Sequence, residues 1–235
     1  MSKVVWVTGA SSGIGSSLVE QFAKEGFKVY ASARRIDLLN ELKSKIVSQF
    51  NSEIVIDVCD NSDIKSINKF YSNHFADKNL NILVNNAGTS SFKPVNEDSY
   101  EEIQKVINTN LLGAVFTIKE VLPGFIFQKS GTIVNILSVT INKTFTNSSI
   151  YAASKAGLYA YSKVLREENR KNGIRVLDVF PGATISEIWD SKIIDKYGIR
   201  MMNPADVAES IVKNITDNSV LAVEELHLRP VSGDL

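Results

Sequence analysis

Three side chains with hydrogen-bonding or acid–base chemistry stand at fixed spacing in one stretch of the chain: Ser138, Tyr151 and Lys155. Tyr151 and Lys155 are four residues apart, so a helix starting near Tyr151 projects both from one face. An ammonium one turn from a phenol stabilises the phenolate, which suits the pair to moving a proton. The bare Tyr-x-x-x-Lys spacing is equally that of a partly buried tyrosine beside a solvated lysine. Only the surrounding elements can separate the two.

A second chemical feature lies near the start. Val4 to Val7 is a β-branched and aromatic run typical of a strand buried on both faces, and Ile14, Leu18, Val19 and Phe22 follow at helical spacing. Between them, Gly9, Ser11, Ser12, Gly13, Ile14 and Gly15 form a glycine-rich turn. A turn of this kind lets the backbone approach phosphate groups, and the helix that follows favours their negative charge. The spacing is G-x-x-x-G-x-G, not the general G-x-G-x-x-G, but the strand–turn–helix context is that of a dinucleotide pyrophosphate site. At the end of the second strand the chain reads Ala33-Arg34-Arg35, with no acidic residue before Asp37. A guanidinium pair there favours a ribose 2′-phosphate, hence NADP(H) over NAD(H), although Asp37 leaves NAD(H) open.

The elements that must hold these groups alternate. Strands are expected at Phe27 to Ala33, Ile54 to Val58, Asn81 to Val84, Thr132 to Leu137, Ile174 to Phe180 and Val220 to Leu228. Helices are expected at Ile36 to Phe50, Ile64 to Phe75, Ser99 to Gln128 with a bend at Pro123, Tyr151 to Lys171, and from Pro204 onwards. This order predicts one α/β domain over residues 1–235, a doubly wound, seven-stranded parallel sheet with helices on both faces.

Composition narrows the partners. Twenty-six basic residues balance twenty-six acidic ones among 235, which gives no reason to expect nucleic acid or an anionic membrane. Leu111 to Phe127 is interrupted by Lys119, Glu120 and Pro123, so no membrane span is expected, nor is a signal peptide at the N-terminus. Cys59 is the single cysteine, and His74 and His227 are far apart, so neither a disulfide nor a structural metal site is expected. A cytoplasmic protein is the default.

With these motifs in order, the chain resembles the short-chain dehydrogenase/reductase family in its compact, single-domain Rossmann form. The Thr8-Gly9-x-x-x-Gly13-Ile14-Gly15 turn, Asn85-Asn86-Ala87-Gly88 after the fourth strand, Asn110 on the long helix, Ser138, Tyr151-x-x-x-Lys155 and Pro181-Gly182 match that family's signatures. The thirteen-residue step from Ser138 to Tyr151 matches as well. The resemblance implies a carbonyl–alcohol interconversion in which Tyr151 is the acid, Lys155 tunes it and holds the nicotinamide ribose, and Ser138 orients the carbonyl oxygen. Asn110 would anchor a water linking Lys155 to solvent. Asp57, with Val58, would contact the adenine, and Pro181 and Gly182 the nicotinamide. The family usually carries Thr five residues after the Pro; here Ser186 holds that place and Thr184 precedes it by two, so either hydroxyl could meet the carboxamide.

Each role has a plainer alternative: Ser138 could cap a strand end, Asn110 could tie its helix to a strand, Asp57 could cap a loop. The family also implies a homodimer or homotetramer through the helix bearing Ala152, Ala153, Ala156, Gly157 and Ala160. A substrate lid is expected over residues 183–203, where Ile185, Ile188, Trp189, Ile193, Ile194, Tyr197, Met201 and Met202 suggest an apolar cover. Phe92, Phe145 and Trp189 would wall a pocket for an apolar or aromatic carbonyl compound. The alternatives in other classes are a dinucleotide-binding sensor or scaffold without turnover, which would not need the four catalytic-type residues together, and an isomerase or epimerase, whose relatives tend to be longer.

Overall fold

The computed structural model describes residues 2–50, 52–76, 80–216 and 221–234. In chain order the elements are β1 (Val4–Thr8), α1 (Gly13–Lys24), β2 (Lys28–Ala33), α2 (Ile36–Phe50), β3 (Ile54–Val58), α3 (Ile64–Phe75), β4 (Ile82–Asn85), α4 (Tyr100–Ile107), α5 (Gly113–Phe127), β5 (Gly131–Ile136), α6 (Ser149–Asn169), β6 (Ile174–Pro181), α7 (Ser191–Tyr197), α8 (Pro204–Thr216) and β7 (Glu225–Leu228).

The strands form one seven-stranded sheet in the order β3-β2-β1-β4-β5-β6-β7. Every pairing is parallel. The period of two along β1 shows why both faces are covered: Val5 and Val7 belong to one core and Trp6 to the other. The first core takes Leu18 and Phe22 of α1, Leu39 and Ile46 of α2, and Val207 and Ile211 of α8. The second takes Phe70 of α3, Ile118 and Phe125 of α5, and Leu165 of α6, with Phe70 stacked on Trp6 at 4.8 Å between centroids. The predicted doubly wound architecture is therefore present.

The strand order reverses between β1 and β4, and in such sheets ligands bind beyond the strand ends at that switch. Two local features differ from expectation. The helix predicted as one element over Ser99 to Gln128 is two, α4 and α5, and Pro123 lies inside the second. Pro123 and Lys119 are both exposed, so the carbonyl left without its helical donor meets water. The irregularity between the two helices is a π-helical turn at Asn108–Leu112. The run Tyr100–Phe127 is long enough for a membrane span, and its most apolar 18-residue stretch has a mean hydropathy of 1.4. Ala114, Ile118, Val121 and Phe125 of that run are buried against the sheet and neighbouring helices, as in a core helix. At the far edge the ladder of β7 begins at Glu225; Val220, where the strand was expected to start, lies outside the described residues.

Candidate active site

The glycine turn is shaped by two close approaches. Gly9 has φ 63°, and a Cβ there would stand 2.6 Å from Ala87 Cα. At Gly15 a Cβ would collide with the Gly9 carbonyl oxygen and the Asn86 amide. Asn86 clamps the turn, its Nδ2 donating to the carbonyls of Thr8 (3.0 Å) and Gly9 (2.9 Å). The Thr8 hydroxyl accepts from Asn86 N and Ala87 N, both at 3.1 Å. Gly15 and Asn86 thus hold two strand ends at the distance that opens a cleft between them.

That cleft has a volume of about 1130 Å3. Gly9, Ser11, Ser12, Gly13 and Ile14 line it from the turn, Asn86, Ala87 and Gly88 from the end of β4, and Ser138, Tyr151 and Lys155 from the far wall. Pro181, Gly182, Thr184 and Ser186 close it from the end of β6. These residues, expected from the sequence to share one site, line one cleft although they come from separate parts of the chain.

Lys155 is buried, and its ammonium donates to the Ile136 carbonyl at 2.7 Å. Removal from water pulls its pKa down to about 8. Tyr151 lies beside it, with Lys155 Nζ 5.8 Å from the ring centroid. Burial pushes the phenol's pKa up, and the neighbouring Ser138 hydroxyl pulls the other way. The depression expected from Lys155 is not what the protein's own groups produce; desolvation wins, and the phenol is held in its protonated form. Ser138 accepts from Thr140 N at 3.2 Å, so it also caps the short 3-10 turn that follows β5.

Asn110 does not line the cleft. It is buried on the π turn, donates to the Thr89 carbonyl (2.8 Å) and the Ser154 hydroxyl (3.0 Å), and accepts from Thr89 N (2.8 Å). It therefore fixes the loop after Gly88 to the residue beside Lys155. A π turn leaves a carbonyl without its ordinary helical donor, which is the backbone irregularity a proton path could use. The helix bearing Tyr151 and Lys155 is pinned from below by a buried network. Asp178 accepts from Ser162 (2.6 Å), Arg166 (2.6 Å) and Asn135 (3.1 Å), joining α6 to β5 and β6.

At the adenosine end the sequence expectation needs correction. Asp57 and Val58 do not line the cleft. Asp57 pairs with His74 at 2.9 Å, and Val58 is half exposed. Because β3 pairs with β2 through Val58, the chain reaches the cleft only after the strand ends, with Cys59, Asp60 and Asn61. Asp63 N-caps α3, so the Asp60-x-x-Asp63 spacing was the available signal for the loop. Burial pushes the Cys59 thiol up to about 12. Arg35 donates to the hydroxyls of Ser11 and Ser12, each at 2.9 Å, and pairs with Glu187 at 2.6 Å. Arg34 is exposed at the rim.

The segment over 183–203 is anchored by Thr184, whose hydroxyl donates to the Gly182 carbonyl at 3.0 Å. Met202 N donates to the Ala183 carbonyl, and Ile185 N to Met202 O, so the two ends of the segment meet. Trp189 donates to Thr184 O at 3.0 Å and stacks on Phe92 with centroids 5.2 Å apart. Phe92 in turn meets Tyr151 edge-on at 5.9 Å. Phe145 lines the same end. The expected aromatic wall is present, and part of the segment, Ser191–Tyr197, is the helix α7. Glu187 and Asp234 also reach the cleft without any sequence signal.

Comparison with known proteins agrees with this geometry. The short chain dehydrogenase family model matches residues 3–196. The chain is 32% identical over 232 residues to an uncharacterized oxidoreductase of Staphylococcus saprophyticus, covering 97% of each protein. It is 32% identical over 244 residues to sepiapterin reductase of Chlorobaculum tepidum, covering 100% of this chain and 99% of the relative. Among solved structures it is similar to the closed form of serine dehydrogenase complexed with NADP+, with a TM-score of 0.90, 29% identity, and coverage of 99% and 96%. A glycine turn at the switch point, a serine–tyrosine–lysine wall across the cleft and these similarities together make the chain an NAD(P)-dependent oxidoreductase of the short-chain dehydrogenase/reductase family.

Proposed function

We propose that the protein reduces a ketone or aldehyde to the alcohol with NADPH, Tyr151 supplying the proton. The observation that carries this is Tyr151, partly buried beside the buried Lys155, with Ser138 facing the phenol, on the wall of the cleft that the glycine turn opens. A dinucleotide fits the residues present: two glycines stand where a Cβ would collide with backbone or with Asn86, and the cleft runs unbroken from Arg34 and Arg35 to Tyr151. Gly9, Ser11, Ser12, Gly13 and Ile14 would hold its pyrophosphate, and Arg34 with Arg35 a 2′-phosphate. Asp60 and Asn61 would replace Asp57 and Val58 at the adenine. Pro181, Gly182, Thr184 and Ser186 would border the nicotinamide, with Lys155 on its ribose. When bound, the cofactor supplies the hydride.

The chain's own residues do the rest. Negative charge grows on the carbonyl oxygen during reduction and needs donors already in place. Ser138 and Tyr151 provide two hydroxyls on the same wall. Tyr151 is protonated in its buried setting, the form that can donate. Lys155, with a pKa near neutrality, can return a proton from the Asn110 side, where the π turn and Thr89 meet the helix. The preference for NADPH is supported by the arginine pair and by the NADP+ held by the serine dehydrogenase neighbour.

Phe92, Phe145 and Trp189 favour a substrate with an apolar or aromatic body. Residues 1–235 would work as one domain. Ala153, Ala156, Ala160 and Val164 lie exposed on α6, a small-residue face suited to a homodimer or homotetramer. A cytoplasmic setting accords with the lone cysteine. The test is NADPH and NADH consumption with a panel of ketones, aldehydes and diketones, sepiapterin included because of the Chlorobaculum tepidum relative. Turnover of carbonyl compounds with NADPH preferred supports the proposal; no turnover with either cofactor, while NADPH still binds, removes it.

A further inference from the structure

The substrate end of the cleft is lined by two residues that each carry a buried polar atom without a partner among the described residues. Asp234 lines it with a side chain only 5% exposed, yet among the described residues its Oδ1 has no hydrogen-bond partner. Thr140, two residues after Ser138, also lines the cleft, and its hydroxyl is likewise buried without a partner among the described residues. A buried acceptor left unpaired is costly, and such atoms call for a ligand or water.

The rest of the Asp234 carboxylate is firmly held. Its Oδ2 pairs with Lys143 at 3.1 Å and Arg229 at 3.3 Å, and its backbone carbonyl accepts from Arg200 at 3.1 Å. Lys143 lies on the loop after Ser138, and Arg200 at the end of the 183–203 segment. The three contacts therefore fix the carboxylate at the substrate end, opposite the arginine pair. Two cations already neutralise it, so a third full positive charge would be repelled. A neutral N–H or O–H donor would not.

We propose that Asp234 Oδ1, with the Thr140 hydroxyl, is a substrate-recognition site for a neutral N–H or O–H group carried by the carbonyl compound away from its reacting carbon. The substrate class is thus an apolar or aromatic body seated on Phe92 and Trp189, with a hydrogen-bond donor at its distal end. The inference presupposes the carbonyl reductase activity proposed above.

The test compares aryl ketones carrying a hydroxyl or amino group at the ring positions or at the end of a short chain, each against its O- or N-methylated counterpart. For at least one geometry the donor compound should have a kcat/KM about 10- to 100-fold above the methylated one. Asp234→Ala should collapse that ratio, whereas a merely structural loss would lower both members equally. Thr140→Val should reduce the ratio by a smaller factor. Asp234→Asn should bring it close to one, because Lys143 and Arg229 require the amide oxygen and turn the NH2 into the cleft, where a hydroxyl and its methyl ether both accept. Equal kcat/KM for every pair in the wild type, or a ratio unchanged by Asp234→Ala, overturns the inference while leaving the reductase activity intact. Absence of turnover with every ketone overturns the reductase activity, and the inference with it.

Discussion

Burying the Lys155 ammonium opposes folding, and its cost is readable as a pH dependence. The side chain is 4% exposed, and burial lowers its pKa from 10.5 to about 8. Between those values the folded protein carries fewer protons than the unfolded chain, so stability rises with pH across that window. The penalty is full below the folded value and vanishes above the unfolded one. At 1.36 kcal/mol per unit, the full penalty is about 3 kcal/mol.

Lys155→Met keeps the length of the stem and removes the charge. It also loses the donor to the Ile136 carbonyl, a constant cost of about 1 kcal/mol that does not titrate. The wild type should therefore gain about 2 kcal/mol on the variant between about pH 7 and about pH 9.5. Urea unfolding of both proteins across that range, followed by the fluorescence of Trp6 and Trp189, measures the difference. A gap that stays constant, or that moves against the wild type as pH rises, refutes the reasoning.

Gly15→Ala should abolish tight NADPH binding, measured by titration, because the new methyl collides with the Gly9 carbonyl and with the Asn86 amide that clamps the turn. Glu187→Gln should tighten NADPH by up to about fivefold, the scale of one exposed ion pair, since Glu187 competes for Arg35 and Ser12; weaker binding would contradict this. Arg166→Met should cost about 3–5 kcal/mol in denaturant unfolding by stranding the buried Asp178 carboxylate.

How much of this was legible depended on the range over which each feature is specified. The glycine turn and the Tyr151–Lys155 pair are written in adjacent residues of one element, so strand–turn–helix order and helical period were enough to group them. Asp57 was expected on the cleft wall but Asp60, three residues on, lines it, because only strand pairing shows where β3 ends. The π turn around Asn110 has no period of its own; it is imposed by the contacts that pull Asn110 onto Thr89 and Ser154. Glu187 reaches Ser12 across 175 residues, and Asp234 reaches Lys143 across 91. Such side-chain meetings depend on how the 183–203 segment and the tail fold back, which no local spacing encodes.

The central claim is that Tyr151 gives the proton during carbonyl reduction. Following NADPH absorbance with a reducible ketone, wild type against Tyr151→Phe, tests it most directly, with NADPH affinity measured in parallel. Tyr151→Phe should bind NADPH as the wild type does and lose about 10²- to 10⁴-fold in kcat. Turnover by Tyr151→Phe at the wild-type rate would contradict it.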